Sequence, residues 1–235
     1  MINTLMFDLD GTLLDMDLDL FARIYFDEMA IAFNGLIGKK ELIDSVWTAT
    51  GVMINNTNKR SNQDVFMEKF KGLVGGNVKP FLDRFDSFYS NGYLKTRRAF
   101  NKKKLVPEIL NSLKNKGYIL ILATNPLFPQ KAVDLRVEWA GIDPKIFSYI
   151  STYNNSFFCK PKIEYYKEIL NKNKKEPKEC LMIGNDVEED MIAGNLGIAT
   201  FLVDDQLISR NNDINCDYRG SFKDFNTFAE KLPEV

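Results

Sequence analysis

Residues 4–10 read Thr-Leu-Met-Phe-Asp-Leu-Asp, an apolar run that ends in two carboxylates, Asp8 and Asp10. A short continuous apolar run is typical of a buried strand. A carboxylate at the end of such a strand costs free energy unless a cation or a hydrogen-bond donor pairs with it. The stretch therefore predicts a central strand and, at its carboxyl end, a site that contains positive charge.

The composition is typical of a globular protein, but the chain contains no histidine that could take part in catalysis or bind a metal. The chain has 235 residues, which is enough for one core or for a core with a smaller inserted domain. Because it contains no histidine, the sequence excludes Ser-His-Asp and Cys-His catalysis and any His-ligated zinc or iron. The chemistry must then use carboxylates, lysines, hydroxyl groups or an oxygen-bound metal.

The charge and the apolar segments favour a cytoplasmic protein. The formal net charge of −1 predicts neither a nucleic-acid partner nor a membrane-surface partner. The longest apolar runs are far too short to span a bilayer, and the N-terminus lacks the pattern of a secretory signal. Three scattered cysteines, Cys159, Cys180 and Cys216, favour reduced thiols. The oligomeric state stays open between a monomer and a small homo-oligomer.

Alternating strands and helices predict an α/β fold with a doubly wound, Rossmann-like parallel sheet. Five apolar runs are continuous rather than alternating, as in parallel strands that are covered on both faces. The predicted strands are Thr4–Asp8, Tyr118–Thr124, Tyr149–Tyr153, Cys180–Gly184 and Ala199–Val203. The predicted core helices are Val106–Lys116, Pro129–Ala140, Ile163–Asn173 and Val187–Leu196. The last segment, Asn211–Val235, is predicted to be a loop followed by a short helix near Phe222–Leu232.

A long helical interval interrupts this alternation after the first strand. About ninety residues separate the first strand from the next predicted core helix, whereas a βαβ unit needs only about thirty. Helical spacing predicts helices at residues 19–33, 39–50, 63–71 and 78–89. We therefore expect a helical cap domain at residues 16–99, inserted into a catalytic core of residues 1–15 and 100–235. Its position places it above the carboxyl end of the sheet, where ligands bind in such folds.

Polar side chains follow four of the predicted strands. They are Asp8 and Asp10, Thr124 and Asn125, Lys160, and Asp186 and Asp190. Several carboxylates at one edge of a sheet would repel each other and raise each other's pKa. A hard cation with oxygen ligands resolves this repulsion, and Mg²⁺ suits the case because it also accepts phosphate oxygens. The pattern therefore predicts a Mg²⁺ site that takes a dianionic phosphoryl group.

These segments resemble the haloacid dehalogenase superfamily of phosphohydrolases, in its phosphatase-like branch with an alpha-helical cap. The matching motifs are FDLDGTLLD, ILATNP, CKP and GNDVEED, in the family's order. The resemblance covers residues 1–15 and roughly 100–210, and the helical interval matches the cap in position and size. It implies a Mg²⁺-dependent phosphatase that acts on a small phosphorylated metabolite.

The resemblance also implies the roles of the reacting residues. Asp8 would be the nucleophile and form an aspartyl-phosphate, and Asp10 would be the general acid and then the general base. Thr124 would bind the phosphoryl oxygens with nearby backbone N–H groups, such as that of Asn125. Lys160 would stabilise charge on the nucleophile and on the transferring group.

The metal ligands are also implied by the resemblance. They would be the Asp8 side chain, the Asp10 backbone carbonyl and Asp186. Asp190 would be a supporting acid that orients Lys160 or metal-bound water. The family usually has Gly-Asp where this chain has Gly184-Asn185-Asp186, so a shift of one residue would put Asn185 in the ligand position.

Two other functions stay open on the sequence alone. A phosphomutase of the same family would keep both aspartates, Asp8 and Asp10. A non-catalytic binding or regulatory protein could use the same scaffold, although we expect such a protein to lose at least one charged catalytic residue. A dehalogenase is disfavoured, because those relatives typically lack the second aspartate.

Overall fold

In the computed structural model, which describes residues 1–211 and 213–235, six parallel strands form one sheet. The strands are β1 (Thr4–Phe7), β4 (Ile119–Leu122), β5 (Tyr149–Ile150), β6 (Cys180–Gly184), β7 (Ala199–Val203) and β8 (Tyr218–Gly220). Their order is β5-β4-β1-β6-β7-β8. The predicted doubly wound parallel sheet and its first five strands are confirmed, although β1, β4 and β5 are shorter than predicted.

Strand β1 lies at the centre of the sheet. Its first residue, Thr4, pairs with Ile119 of β4 on one side and with Cys180 of β6 on the other. The side chains of Leu5, Met6 and Phe7 are fully buried, which explains the continuous apolar run. Because the strands are parallel, the residues that follow β1, β4 and β6 emerge at the same edge of the sheet, which we call the carboxyl edge.

Within the described residues, four helices cover the sheet: α5 (Val106–Asn115), α6 (Gln130–Trp139), α7 (Ile163–Asn173) and α8 (Phe222–Lys231). The prediction of a helix at Val187–Leu196 is wrong for its first part. Only Met191–Leu196 is helical, as a 3-10 helix. Asp186 Oδ1 accepts the backbone N–H groups of Glu188 and Glu189 at 3.0 and 2.9 Å, so a side chain holds the donors of the first turn.

The long interval after β1 is helical, as predicted. It contains α1 (Leu18–Ala32), α2 (Lys39–Ile54), α3 (Asn62–Leu73) and α4 (Lys79–Ser90). Two short strands that the sequence did not predict, β2 (Leu14–Met16) and β3 (Phe100–Lys102), pair antiparallel where the chain enters and leaves this interval. We call α1–α4 the helical insert. That residues 16–99 form a separate cap domain stays a proposal.

The C-terminal stretch from residue 211 was predicted as a loop followed by a helix. Residue 212 lies outside the described residues. The loop prediction is wrong at Tyr218–Gly220, which forms β8 at the edge of the sheet. Tyr218 is 45% exposed, so this strand lacks the apolar run that marks a buried one. Among residues 1–211 and 213–235, the helices are all too short or too polar to cross a membrane.

Candidate active site

A cavity of about 950 Å³ separates the carboxyl edge of the sheet from the helical insert. Most of the side chains predicted to form the site line this cavity. They are Asp8, Asp10, Thr124, Asn125, Asn185, Asp186 and Asp190. The structure therefore brings together residues that are up to 182 positions apart in the sequence, because parallel strands end at one edge.

Lys160 is buried beneath the cavity and joins two of its carboxylates. Its Nζ donates to Asp8 Oδ1 at 2.8 Å and to Asp190 Oδ1 at 2.6 Å. Burial favours the neutral amine, but the charges of Asp190 and Asp8 outweigh it and hold the pKa of Lys160 well above its usual value. Lys160 is therefore a fixed ammonium group at the Asp8 carboxylate.

Asp190 is 1% exposed and connects Lys160 to the backbone. Its Oδ2 accepts the backbone N–H of Asp186 at 3.0 Å, while its Oδ1 accepts from Lys160. Burial raises the pKa of Asp190, and Lys160 opposes that rise. A Cβ atom on Gly184 would lie 2.1 Å from Asp190 Oδ2, so only glycine leaves room for this carboxylate. Asp190 is thus positioned to orient Lys160.

Asp10 is paired with Arg136, a residue that the sequence analysis missed. Arg136 lies on α6, is 1% exposed and donates through Nη1 to Asp10 Oδ2. The guanidinium also lies over the Phe128 ring, 4.6 Å from its centroid. Burial raises the pKa of Asp10 to about 6, although Arg136 acts to lower it. A sequence signal existed, because Arg136 occupies the apolar face of α6 beside Val133 and Val137.

The residues after β4 supply hydrogen-bond donors. Thr124 is 3% exposed, and its backbone carbonyl accepts from Ser151 Oγ and Tyr165 Oη at 2.6 and 2.8 Å. Asn125 Nδ2 donates to Glu189 Oε2 at 3.0 Å. Among the described residues, the backbone N–H of Asn125 has no protein acceptor. This N–H group and the Thr124 hydroxyl are therefore available to an anion in the cavity.

Glu189 was not among the residues predicted to form the site, and the structure places it on the wall of the cavity. Burial raises the pKa of Glu189. Its hydrogen bond to Asn125 fixes it beside the carboxyl edge. Glu189 thus adds a carboxylate to the site.

Asp186 faces the cavity and binds Arg210, which the sequence analysis also missed. Arg210 Nη1 donates to Asp186 Oδ1 at 2.8 Å, and Nη2 donates to Oδ2 at 2.9 Å. Nη1 also reaches Glu188 Oε2 at 3.1 Å. Arg210 lies on an irregular segment between β7 and β8, so no periodicity in the sequence marked it. Its half-exposed side chain neutralises Asp186.

Both polar atoms of the Asn185 side-chain amide form hydrogen bonds within the protein. Its Oδ1 accepts from Thr12 Oγ1 at 2.9 Å, and its Nδ2 donates to the Gln206 carbonyl at 2.6 Å. The side chain packs against Gly11, where a Cβ atom would lie 2.4 Å from Asn185 Nδ2. Asn185 therefore anchors the loop that follows β1, and Asp186 presents the carboxylate.

The donor set of the site suits a hard cation. In the part of the chain that the structure describes, neither Asp8 Oδ2 nor the Asp10 backbone carbonyl accepts a hydrogen bond. With Asp186 they offer only oxygen atoms, which Mg²⁺ prefers. No group of three His, Cys, Asp or Glu side chains gathers for a metal among the described residues. A cation would thus bind two carboxylates and a carbonyl, and would compete with Arg210 for Asp186.

Comparison with known proteins places the chain in a family. Residues 2–196 match the model of the haloacid dehalogenase-like hydrolases. The chain is 29% identical over 189 residues to a phosphoglycolate phosphatase of Haemophilus influenzae, covering 80% of this chain and 79% of that protein. It is 28% identical over 160 residues to a glyceraldehyde 3-phosphate phosphatase of Methanothermobacter thermautotrophicus, covering 66% and 67%.

Solved structures show the same fold over the whole chain. A HAD phosphatase from Thermococcus onnurineus superposes with a TM-score of 0.60 at 16% identity and covers 100% of both chains. An L-2-haloacid dehalogenase from Xanthobacter autotrophicus superposes with a TM-score of 0.59 at 16% identity, covering 99% of this chain and 100% of that one. The chain belongs to the haloacid dehalogenase-like hydrolase family, as its motifs predicted.

Proposed function

We propose that this hydrolase is a Mg²⁺-dependent phosphatase that cleaves a small phosphorylated metabolite through an aspartyl-phosphate on Asp8. The observation that carries the proposal is the pair of carboxylates, Asp8 and Asp10, at one cavity with different cationic partners. Asp8 is paired with Lys160 and Asp10 with Arg136. The two roles differ, since a nucleophile must be ionised and a general acid must carry a proton; burial favours the protonated form of Asp10, although Arg136 opposes it.

Asp8 is the proposed nucleophile. Its carboxylate is 8% exposed and opens to the cavity, while Lys160 holds one oxygen at 2.8 Å. The free oxygen attacks phosphorus, the bond to the alcohol oxygen breaks, and the phosphoryl group passes to Asp8. The fixed ammonium of Lys160 offsets the negative charge on the nucleophile and on the phosphoryl group.

Asp10 is the proposed general acid and base. Its pKa of about 6 allows the carboxyl group to carry a proton near neutral pH and to release it. In the first step Asp10 protonates the leaving alcohol. In the second step it takes a proton from the water that attacks phosphorus, which frees Asp8 and inorganic phosphate. Arg136 fixes the carboxylate in position between these steps.

The remaining residues bind the phosphoryl group and the cation. Thr124 and Asn125 line the cavity, and we expect the Thr124 hydroxyl and the Asn125 backbone N–H to donate to phosphoryl oxygens. Asp8, the Asp10 carbonyl and Asp186 would hold the Mg²⁺ ion, with Asp190 and Asn185 in supporting positions. When bound, Mg²⁺ neutralises the phosphoryl charge and orients it toward Asp8.

The named activities of the relatives support a small phosphorylated metabolite as substrate. The phosphoglycolate and glyceraldehyde 3-phosphate phosphatases are named for phosphate esters of two- and three-carbon compounds. The helical insert would act as a cap that covers the cavity and excludes bulk water. A cytoplasmic location fits substrates of this kind and the free cysteines.

The test is hydrolysis of para-nitrophenyl phosphate by wild type and by Asp8→Asn, with and without Mg²⁺. The proposal predicts Mg²⁺-dependent release of phosphate that the substitution reduces at least about 10³-fold. Equal release from both proteins would reject Asp8 as the nucleophile. A phosphomutase would instead return the phosphoryl group to an added sugar phosphate, with little free phosphate.

A further inference from the structure

The cavity is much larger than a two- or three-carbon phosphate ester needs. Its volume of about 950 Å³ lies at the upper end of the range for drug-sized ligands, which is about 300–1,000 Å³. Every helix of the insert contributes apolar side chains to its wall, among them Phe21, Tyr25, Phe26, Trp47, Phe66 and Phe85. The same cavity contains Asp8 and Asp10, so an ester held at the carboxyl edge would extend into this apolar part.

Several apolar side chains of the cavity wall are exposed. Leu18 is 59% exposed, Trp47 is 58% exposed and Leu82 is 39% exposed. The Trp47 ring lies beside the Phe26 ring, with 5.6 Å between the two ring centroids. Exposed apolar surface in a concave site is stabilised when an apolar ligand covers it. These side chains therefore favour an organic group with substantial apolar area.

The charged side chains on the wall are few, and they are of both signs. Among the described residues of the helical insert, the only charged side chain that lines the cavity is Asp86. Two of the cavity's cations are already paired, Arg136 with Asp10 and Arg210 with Asp186. Lys131 donates to Ser90 Oγ at 2.6 Å. Lys131 thus has a neutral partner, and apart from these few polar groups the wall formed by the insert is mainly apolar, so apolar contact dominates what it offers a ligand.

We propose that the substrate is a phosphate monoester of an apolar or aromatic alcohol. This inference rests on the proposed phosphatase function and specifies its leaving group. The phosphoryl group binds at the carboxyl edge, and the organic group fills the space between the helices of the insert. The preference is then opposite to that of an enzyme for the phosphate of a short hydroxy acid.

The experiment compares kcat/KM for 2-phenylethyl phosphate, ethyl phosphate and phosphoglycolate in the presence of Mg²⁺. The first two esters release primary alcohols of similar basicity, so their ratio reports binding in the cavity rather than leaving-group chemistry. Because a single methylene in an apolar pocket can change kcat/KM by 10–200-fold, we expect at least about 100-fold preference for the phenylethyl ester. A ratio near one, or phosphoglycolate as the best substrate, would overturn the proposal.

Two variants test whether Trp47 causes the preference for 2-phenylethyl phosphate over ethyl phosphate. Trp47→Ala should lower kcat/KM for 2-phenylethyl phosphate at least about 10-fold and reduce its advantage over ethyl phosphate. Val52→Ala is the matched control, since Val52 lies on the same helix and is 42% exposed but does not line the cavity. Equal ratios in wild type and Trp47→Ala would contradict the proposed binding position.

A binding measurement separates this inference from the phosphatase proposal. Titration calorimetry with Asp8→Asn and Mg²⁺ should show 2-phenylethyl phosphate binding at least about 10-fold more tightly than ethyl phosphate. If that preference is present but wild type hydrolyses neither ester, the phosphatase proposal fails and the apolar binding site stands. If wild type hydrolyses both esters equally and the variant binds them equally, the phosphatase stands and the inference fails.

Discussion

Arg136, on a helix that covers the sheet, donates a hydrogen bond to Asp10, which lies 126 residues earlier in the chain. The guanidinium is 1% exposed, so the ion pair is screened little by solvent. The proposed acid and base of the reaction thus has a permanent cationic partner. Its protonation and its orientation both depend on a residue outside the four sequence motifs.

Replacement of this partner should shift the pH dependence of the reaction. Burial raises the pKa of Asp10 to about 6, and Arg136 opposes that rise. In Arg136→Met the opposing charge is lost, so Asp10 keeps its proton to higher pH. The limb of the kcat/KM profile that reports Asp10 should therefore move to higher pH than in wild type, at equal Mg²⁺ concentration. Arg136→Lys retains the positive charge and should shift this limb of the pH profile less. A shift to lower pH would contradict the pairing.

Loss of the buried ammonium should affect both activity and stability. Lys160→Met leaves Asp8 and Asp190 without their shared cation in a buried setting. Removal of one member of a buried ion pair costs about 3–5 kcal/mol of unfolding free energy. We expect a loss of that size in urea unfolding and a fall of at least about 10³-fold in kcat. Lys167→Met, on the exposed face of the same helix that follows Lys160, is the control and should change neither.

Much of this site could be predicted because it follows from strand ends. The apolar run at residues 4–7 predicted the central strand, and parallel pairing then placed Asp8, Thr124 and Asp186 at one edge. That argument needs only periodicity and the geometry of parallel sheets. This reasoning predicted the fold and the carboxylates that line the cavity. The catalytic roles of those carboxylates remain predictions.

The cationic partners could not be found in the same way. Arg136 approaches from α6, and Arg210 approaches from an irregular segment, so their contacts depend on tertiary packing. The β2 and β3 pair was also missed, since strands of three residues carry too little pattern to recognise. The sequence also did not predict that residues 187–190 form a turn before the 3-10 helix, in which Asp186 Oδ1 accepts the N–H groups of Glu188 and Glu189.

Arg210 should weaken the binding of Mg²⁺. Its guanidinium contacts both carboxylate oxygens of Asp186, a proposed ligand of the ion. Arg210→Ala removes this competitor, so Mg²⁺ should bind more tightly and raise the melting temperature more at the same concentration. Thermal unfolding across a Mg²⁺ titration measures this without substrate. Arg219→Ala, which breaks an exposed ion pair with Asp204, is the control. A weaker Mg²⁺ response in Arg210→Ala would show that Arg210 assists the site instead.

The Asp190 carboxylate requires the absence of a side chain at Gly184. A Cβ atom there would lie 2.1 Å from Asp190 Oδ2, so Gly184→Ala must displace Asp190 from Lys160. We expect a loss of at least about 10²-fold in kcat and a lower melting temperature. Gly194→Ala is the matched control, because its Cβ atom would meet nothing closer than 3.7 Å. Full activity in Gly184→Ala would remove Asp190 from its supporting role.

The most direct test of the central claim is to trap the phosphoryl group on Asp8. Asp10→Asn should slow hydrolysis of the intermediate, because the variant lacks the base that activates water. Acid quenching during turnover of para-nitrophenyl phosphate, followed by borohydride reduction, converts an aspartyl-phosphate to homoserine, which peptide mass spectrometry locates. The account predicts homoserine at position 8, dependent on Mg²⁺ and absent from Asp8→Asn. Homoserine at another position, or none while substrate is consumed, would contradict it.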